Sequence, residues 1–469
     1  MTATPAALAA NIGPERAPLR ARMSWMLFDW STQPHYTLVQ TFLFGPYFAN
    51  TVVGDGAHGQ SLWGYAAAVA GVLIAILSPY LGAVADGHGH RKMWMGILAL
   101  VFVASLSSLW LAMPAAASTT LMLTLAGFVF ATVAAELMSV FSNAIMTGLV
   151  PKSELGRLSG TGWAVGYFGG LASLALVAGL LVPVPGKETT LLGLAPLLKL
   201  DAAQHQGDRL TGPFAALWFS IFIIPFFLFV PDRRPADAAA HDDRKPLAEL
   251  WDTIKSLPAL PSLMIFLIAR MIYSDGLSAI FAFGGIYGAS QFHWGPLDLG
   301  IFGIVLTLVG AIGALLGGRL DDALGPKTVI IGALLILLVG AIGILSVDAN
   351  HVLFTTEVAP KAAGSGPFSS TGERVFLAFA VIVGLVAAPV QAASRSLLAR
   401  LAPEEKMTQY FGLFAFSGKV TAFLAPFVVA LATQISGDQR IGMSTVLAFI
   451  IIGILMMMFV RAPKPSIAR

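Results

Sequence analysis

Gly82-Ala83-Val84-Ala85-Asp86-Gly87-His88-Gly89-His90-Arg91-Lys92 joins two long apolar runs. It crowds glycines, a carboxylate and two cations into one short turn. A degraded copy, Gly318-Arg319-Leu320-Asp321-Asp322-Ala323-Leu324-Gly325-Pro326-Lys327, stands 236 positions later. Glycine, acid, glycine and base keep their spacing in both, as Gly82/Gly318, Asp86/Asp322, Gly89/Gly325 and Arg91/Lys327. A second match sets Val150-Pro151-Lys152-Ser153-Glu154 against Ala402-Pro403-Glu404-Glu405-Lys406, at an offset of 252. A weaker echo pairs Phe28-Asp29 with Ser274-Asp275. Together they point to two homologous halves whose loops differ in length.

Composition says which solvent those halves occupy. The chain has 469 residues, 57% apolar and 11% charged, with a mean hydropathy of +0.79. A soluble domain carries about 25% charged residues, so this balance belongs in lipid. There are no cysteines, which excludes disulfides, thiolate chemistry and cysteine-based metal sites. His88 and His90 have no further ligand in reach by sequence, so no metal is expected. No Gly-x-x-x-x-Gly-Lys-Ser/Thr phosphate loop occurs, so nucleotide hydrolysis is not indicated. No cofactor and no nucleic-acid partner is expected. Residues 1–22 are Ala/Pro/Arg-rich without an apolar core, unlike a cleavable signal peptide.

A spanning helix needs about 20 mostly apolar residues. Twelve such segments are expected, over roughly 23–49, 61–85, 93–113, 120–150, 158–183, 212–231, 259–290, 297–318, 327–347, 373–401, 408–435 and 441–461. Strands are ruled out for these runs, since open sheet edges are not viable in hydrocarbon. Counting Lys and Arg in loops and at helix ends puts nineteen on the side of the N-terminus and six on the other. By the positive-inside rule both termini and both copies of the turn then face the cytoplasm. The expected organisation is a tail over 1–22, a six-helix bundle over 23–231, a charged linker over 232–258, a second bundle over 259–461 and a tail over 462–469. Leu247, Leu250, Trp251, Ile254 and Leu257 in the linker have helical spacing, an amphipathic helix able to lie at the membrane interface.

Twelve helices, a 6+6 duplication and Gly-x-x-x-Asp-x-x-Gly-x-Arg-Lys between helices 2 and 3 resemble the major facilitator superfamily. More narrowly the chain is similar to the vacuole-effluxer, or "unknown major facilitator", family related to autophagy-linked vacuolar amino-acid exporters. The residues that carry this are Phe28-Asp29-Trp30, Ser142-Asn143-Ala144, Gly162-Trp163-Ala164-Val165-Gly166-Tyr167-Phe168-Gly169-Gly170, Tyr273-Ser274-Asp275-Gly276, Gln391-Ala392-Ala393-Ser394-Arg395-Ser396 and Tyr410-Phe411-Gly412. The chain departs from the family after Asp29-Trp30, where Ser31-Thr32-Gln33-Pro34-His35 replaces small residues and an Asn. The resemblance implies an all-α membrane protein, two pseudo-symmetric six-helix bundles, with helices 1, 4, 7 and 10 around a central cavity. It also implies that Asp86 docks at the start of helix 11 and Asp322 at the start of helix 5. Gly82, Asp86, Gly89, Arg91, Lys92, Gly318, Asp322, Gly325 and Lys327 would then form a cytoplasmic gate; the plainer reading is a solvated turn whose cations set topology.

Six ionisable residues lie within the apolar segments: Asp29, Glu136, Asp275, Arg270, Arg395 and Lys419. A charge near the bilayer centre costs about 2.5–3.5 kcal/mol on insertion scales, and three of each sign suggest internal pairing. Two readings compete, structural ion pairs and a binding or proton-coupling set to which Tyr273 also belongs. His35 after Pro34 is either a proton-responsive hinge or a satisfied core histidine. Gln33, Asn143 and Gln391 either line the path or bond helix to helix. Gly162, Gly166 and Gly170 read as close helix packing.

The reading these residues favour is a secondary transporter, not an enzyme. It would move a small polar or zwitterionic metabolite by alternating access, with or without coupled protons, as a monomer in the bacterial inner membrane. An amphipathic lipid, lysolipid or peptide as cargo, or a sensor that transports nothing, are the competing readings. The linker is too short for a soluble output domain, which counts against the sensor.

Overall fold

Within lipid the tails of the bilayer are as apolar as leucine, so helices are held together by close packing and hydrogen bonds rather than by the hydrophobic effect. Both are visible in a computed structural model that describes residues 16–88, 90–114, 117–183, 189–232, 246–362 and 364–462. Among those residues, ten helices are long and apolar enough to cross a membrane. Helices α1 to α6 are Leu19–Pro34, Gly56–His88, Arg91–Ser108, Ser118–Met146, Leu155–Leu176 and Gln206–Phe222. Helices α7 to α10 are Pro261–Phe292, Pro296–Leu324, Pro326–Leu345 and Thr371–Leu401. Helix α11 runs Met407–Ser417, breaks, and resumes over Leu424–Ser436; α12 is Gln439–Phe459.

The two remaining expected spans are helical but interrupted. In the first, α1 passes at Pro34 into a π-helical stretch, His35–Phe42. A proline cannot donate to the helical ladder; the Trp30 carbonyl four residues back accepts from the Trp218 indole at 3.1 Å instead, and the π-helical stretch ends where Leu43 N–H reaches back to the Leu38 carbonyl. In the second, residues 418–423 form turns between the two pieces of α11. Three helices begin on a proline, α7, α8 and α9, where the missing N–H costs nothing. The α8–α9 joint is Gly325, at φ 85°, a left-handed value that glycine alone adopts without strain.

The chain divides into two compact units. The first comprises Met1–Pro151, Val165–Leu250 and Glu405–Ala415, so it includes the start of α11. Within it α3 packs on α4 and α6, α2 on α4, and α1 on α6. Trp25 donates its indole N–H to the Ser142 carbonyl at 2.8 Å, fixing α1 on α4. The second unit comprises Lys152–Ala164, Trp251–Glu404 and Phe416–Arg469, and includes the start of α5. There α8 and α9 pack on α10, and α7 on α12. A capping box starts α10, where Ser370 Oγ accepts from the Glu373 amide and Glu373 accepts from the Ser370 amide. A short hairpin, β1 (His351–Val352) with β2 (Thr356–Glu357), precedes it.

The expected amphipathic helix is present over Pro246–Ser256. Glu249 and Thr253 are buried, while Leu247 and Trp251 are exposed and Lys255 lies over the Trp251 ring. Gly89, the linker cations Arg233, Arg234, Arg244 and Lys245, and the terminal stretches before 16 and after 462 lie outside the described residues.

Candidate functional site

The two copies of the turn close on helix starts, each within one unit. In the first, Asp86 accepts from the backbone N–H of Thr408 at 3.2 Å and of Gln409 at 2.8 Å, both in the first turn of α11. The unsatisfied amides of a helix start and its positive dipole favour an anion there. Arg91 completes the contact, giving its Nη2 to Asp86 at 2.9 Å and its Nε to Thr408 Oγ1 at 2.7 Å. Gly82 makes the approach possible, because a Cβ there would stand 2.7 Å from the Thr408 carbonyl oxygen. Lys92 is turned elsewhere, donating to the carbonyls of Phe227 and Val230.

In the second unit Asp322 accepts from the Gly156 N–H at 2.9 Å, in the first turn of α5. Gly318 plays the part of Gly82: a Cβ on it would meet the Gly156 carbonyl oxygen at 2.7 Å. The cations differ from the first copy. Lys327 does not reach Asp322; its ammonium donates to the Met458 carbonyl. Arg157 and Arg400 stand 3.5 and 3.6 Å from Asp322 instead.

The charges within the helices fall into two sets. The first unit holds Asp29, Gln33, His35, Glu136 and Asn143. Asp29 and Gln33 face Gly166 and Gly170 of α5, where a Cβ on Gly170 would lie 2.9 Å from Gln33 Cγ. Tyr36 lies within electrostatic reach of Glu136 and Asp29. His35 is fully buried and meets Gln40 Nε2 at 2.9 Å and Thr132 Oγ1 at 3.2 Å, with Phe102 and Phe128 around its ring. Its Nδ1 has no partner among the described residues.

The second unit holds Arg270, Tyr273, Asp275, Gln391, Arg395 and Lys419. Arg270 donates to Ser417 Oγ at 2.8 Å and sits against Gly418, at the break in α11. A broken helix in a membrane exposes backbone groups that need a polar neighbour, and Arg270 is one. Tyr273 shares a 2.7 Å hydrogen bond with Ser394, joining α7 to α10. Asp275 is only 1% exposed, and its Oδ1 has no hydrogen-bond partner among the described residues. Arg395 is occupied structurally, giving its Nε to Ser159 Oγ at 2.9 Å and its Nη2 to the Ser159 carbonyl at 2.8 Å. Gln391 is half-buried on α10, and Lys419 half-buried in the break of α11. No group of three or more acidic or histidine side chains suited to a metal ion occurs among the described residues.

Sequence reasoning passed over Thr408, Ser417, Ser394, Asp321 and Arg400. Only the doubled acid Asp321-Asp322 gave a local signal; the others acquire their roles from partners far away in the chain.

Solved membrane-protein structures share this helical fold. The chain aligns with the Escherichia coli fucose:proton symporter FucP over 94% of its own length and 98% of that chain, with a TM-score of 0.65 and 13% identity. It aligns equally with the proton:xylose symporter XylE, at TM-score 0.65 and 14% identity over 95% and 96% of the two chains. This is the major facilitator fold, and the chain is a multi-pass membrane protein and secondary transporter rather than an enzyme. Residues 152–466 match the family described as "Vacuole effluxer Atg22 like", and the chain belongs to that family. It is 23% identical to the uncharacterized MFS-type transporter YxiO of Bacillus subtilis over 93% of this chain and 94% of that one. It is 27% identical to Autophagy-related protein 22 of Cryptococcus neoformans over 64% of this chain, which spans about half, 51%, of that longer protein.

Proposed function

We propose that the chain moves a small polar or zwitterionic metabolite, an amino acid or a near relative, by alternating access. The reading rests on one observation above the rest: Asp275 is buried with an unpartnered carboxylate oxygen, one α-helical turn and a half from Arg270 at the break in α11. A buried polar atom without a partner costs about 1–3 kcal/mol; a bound ligand donor would recover it. An acid and a guanidinium on one helix suit a solute that carries both an ammonium and a carboxylate. Asp29 and Glu136 supply the acids of the first unit, with Gln33, His35 and Asn143 beside them, and Gln391, Arg395 and Lys419 complete the second. Membership of the effluxer family supports the same cargo class.

In this reading the six-helix bundles run over 23–231 and 259–461, with a linker between. Both termini and both turns face the cytoplasm of a bacterial inner membrane, and the protein acts as a monomer. The turns act as latches. Asp86 on α11 and Asp322 on α5 hold while the cytoplasmic side is shut and part when it opens. Gly82, Gly89, Arg91, Lys92, Gly318, Gly325 and Lys327 shape and support them. Protons travel with the cargo through Asp29, Glu136 or Asp275.

The test is a thermal-shift screen of purified protein against amino acids, peptides, nucleosides and lysolipids. An amino acid should raise Tm, and Asp275→Asn and Arg270→Gln should each abolish that rise. A rise that survives both substitutions removes these residues from the site, and a rise with lysolipids alone overturns the cargo class. With the cargo in hand, uptake into proteoliposomes should acidify or alkalinise the lumen; uptake with no proton movement ends the coupling reading.

A further inference from the structure

The two latches differ in where their cation comes from. In the first, the base of the turn itself, Arg91, holds Asp86. In the second the matching base, Lys327, is engaged with the Met458 carbonyl, and a guanidinium from the far end of α10 stands in: Arg400 Nη2 lies 3.6 Å from Asp322 Oδ1. That guanidinium is itself held. Its Nη2 lies 3.0 Å from Oδ1 of Asp321, a carboxylate only 1% exposed whose Oδ2 accepts a short hydrogen bond from Ser396 Oγ. At the offsets that align the two halves, 236 for the turn and 252 for α4 and α10, Asp321 falls on Ala85, Ser396 on Ala144 and Arg400 on Gly148. The first copy therefore has neither the second acid nor its partners.

We propose that Asp321 and Arg400 are positioning residues that replace the missing base of the second latch. Asp321, oriented by Ser396, anchors Arg400 so that its Nη2 stands beside both carboxylates, 3.0 Å from Asp321 and 3.6 Å from Asp322, and holds Asp322 electrostatically against the start of α5. This rests on the reading of Asp322 as a latch. The groups around Asp321 are Asp322 on α8, Arg400 and Ser396 on α10, and Gly156 with Arg157 on α5. A Cβ on Gly156 would stand 2.4 Å from Asp321 Cγ, so the acid is wedged between α5 and α10. Arg157 stands as near to Asp322 as Arg400 does but is more than half exposed, so solvent screens it and it is a weak holder by comparison. Two carboxylates side by side repel, and a guanidinium beside both offsets that repulsion. A cation anchored on α10 also ties this latch to the helix that carries Ser394 and Arg395, whereas the first latch is closed by its own turn.

Amide hydrogen exchange on the full-length purified protein reads each latch without any cargo. Gly156 donates to Asp322, so peptides over 155–160 report the second latch. Thr408 and Gln409 donate to Asp86, so peptides over 407–412 report the first and serve as the folding control. Losing the ion pair that supports Asp322 should speed exchange at 155–160 about tenfold in Arg400→Gln and in Asp321→Asn, leaving 407–412 unchanged. Lys327→Gln should change neither. Because Asp321 acts through Arg400, the double variant should be no faster than Arg400→Gln alone, and Arg400→Lys should recover part of the protection. Asp322→Asn separates the two claims. If it leaves 155–160 unchanged, the latch reading itself fails. If it speeds exchange while Arg400→Gln and Asp321→Asn do not, or if Lys327→Gln matches Asp322→Asn, the positioning proposal is overturned. A variant that speeds both regions has loosened the whole fold; the partial-length change Arg400→Lys then decides, since protection at 155–160 equal to the Arg400→Gln value would also sink it.

Discussion

A methyl group added to Gly412 would stand 2.4 Å from the Ser78 carbonyl oxygen and 2.7 Å from Pro79 Cα. Backbone cannot swing aside as a side chain can, so Gly412→Ala should destabilise by about 1–3 kcal/mol, read as a lowered Tm in detergent. Gly64, with nothing within 4 Å of its would-be Cβ, should accept alanine without loss, and equal losses at both sites would contradict this account. Exposed charges behave in the opposite way. Lys152 and Glu404 lie 2.7 Å apart but are each more than half exposed, so Glu404→Gln should leave Tm nearly unchanged. On the loop between α9 and α10, burial raises the Asp348 carboxyl, but hydrogen bonds from the Asn350 amide, Arg440 and His351 outweigh it and hold the group below its usual range. A lowered folded value means that its stabilisation is complete above the unfolded value, about pH 4, and is lost as pH falls through the folded one. Lys361 runs the other way. Its hydrogen bond to Glu373 outweighs burial and raises it, so its contribution is intact below about pH 10.4 and fades as pH rises through the folded value. Exchange at 348–352 should therefore quicken in acid and exchange at 358–363 in strong alkali; the reverse pattern would refute both assignments.

Elements differ in how openly the sequence declares them. The ten uninterrupted helices announce themselves by length and hydropathy, and Pro261, Pro296 and Pro326 mark three of their starts. The interruptions do not. Pro34 hints at the π-helical stretch, yet nothing local says that the wider turn continues to Phe42. The break after Ser417 contains no proline at all; its polar neighbour, Arg270, which donates to Ser417 Oγ, stands 147 positions away in the chain. For the same reason Arg400 read as one more topology-setting cation, when its partners are Asp321 and Asp322. Long-range pairing is invisible to any window of sequence. The break carries its own prediction. A Cβ at Gly418 would lie 2.8 Å from Arg270 Nη1, so Gly418→Ala should displace the guanidinium and remove the cargo-induced thermal shift while leaving apo Tm within about 1 kcal/mol of the parent, a long side chain being able to yield. At the start of α10, Ser370→Ala should cost about 0.5–2 kcal/mol through the lost cap, seen as a lower Tm with cargo binding intact.

At the scale of the molecule, duplication was legible because chemistry repeats where spacing does not: Asp86 and Asp322 share a turn but not a set of partners. The partners of Asp86 are Arg91, Thr408 and Gln409; those of Asp322 are Gly156, Arg157 and Arg400. The sets are disjoint. Asp86→Asn and Asp322→Asn should then lower stability additively, to within about 0.5 kcal/mol, when combined; a coupling energy above about 1 kcal/mol would show that the latches share a partner. The cargo was not legible in the same way, since buried acids and bases give the charge of a solute and say little about its shape.

Each turn acid accepts from main-chain N–H groups as well as standing beside a cation, and the main-chain half of that grip governs how the protein can evolve. Gln409 offers Asp86 a donor that almost every amino acid possesses; its own side chain is buried, so the position can drift only among residues that fill the same space. Proline alone lacks the hydrogen and should be purged there. Gly156 has less latitude, because its donor comes with a neighbour too close for any side chain. A saturation library scored for transport should thus accept at 409 the residues that fill the same buried space, proline excepted, and almost none at 156, a difference in permitted variation set by a few ångströms of space beside two equivalent hydrogen bonds.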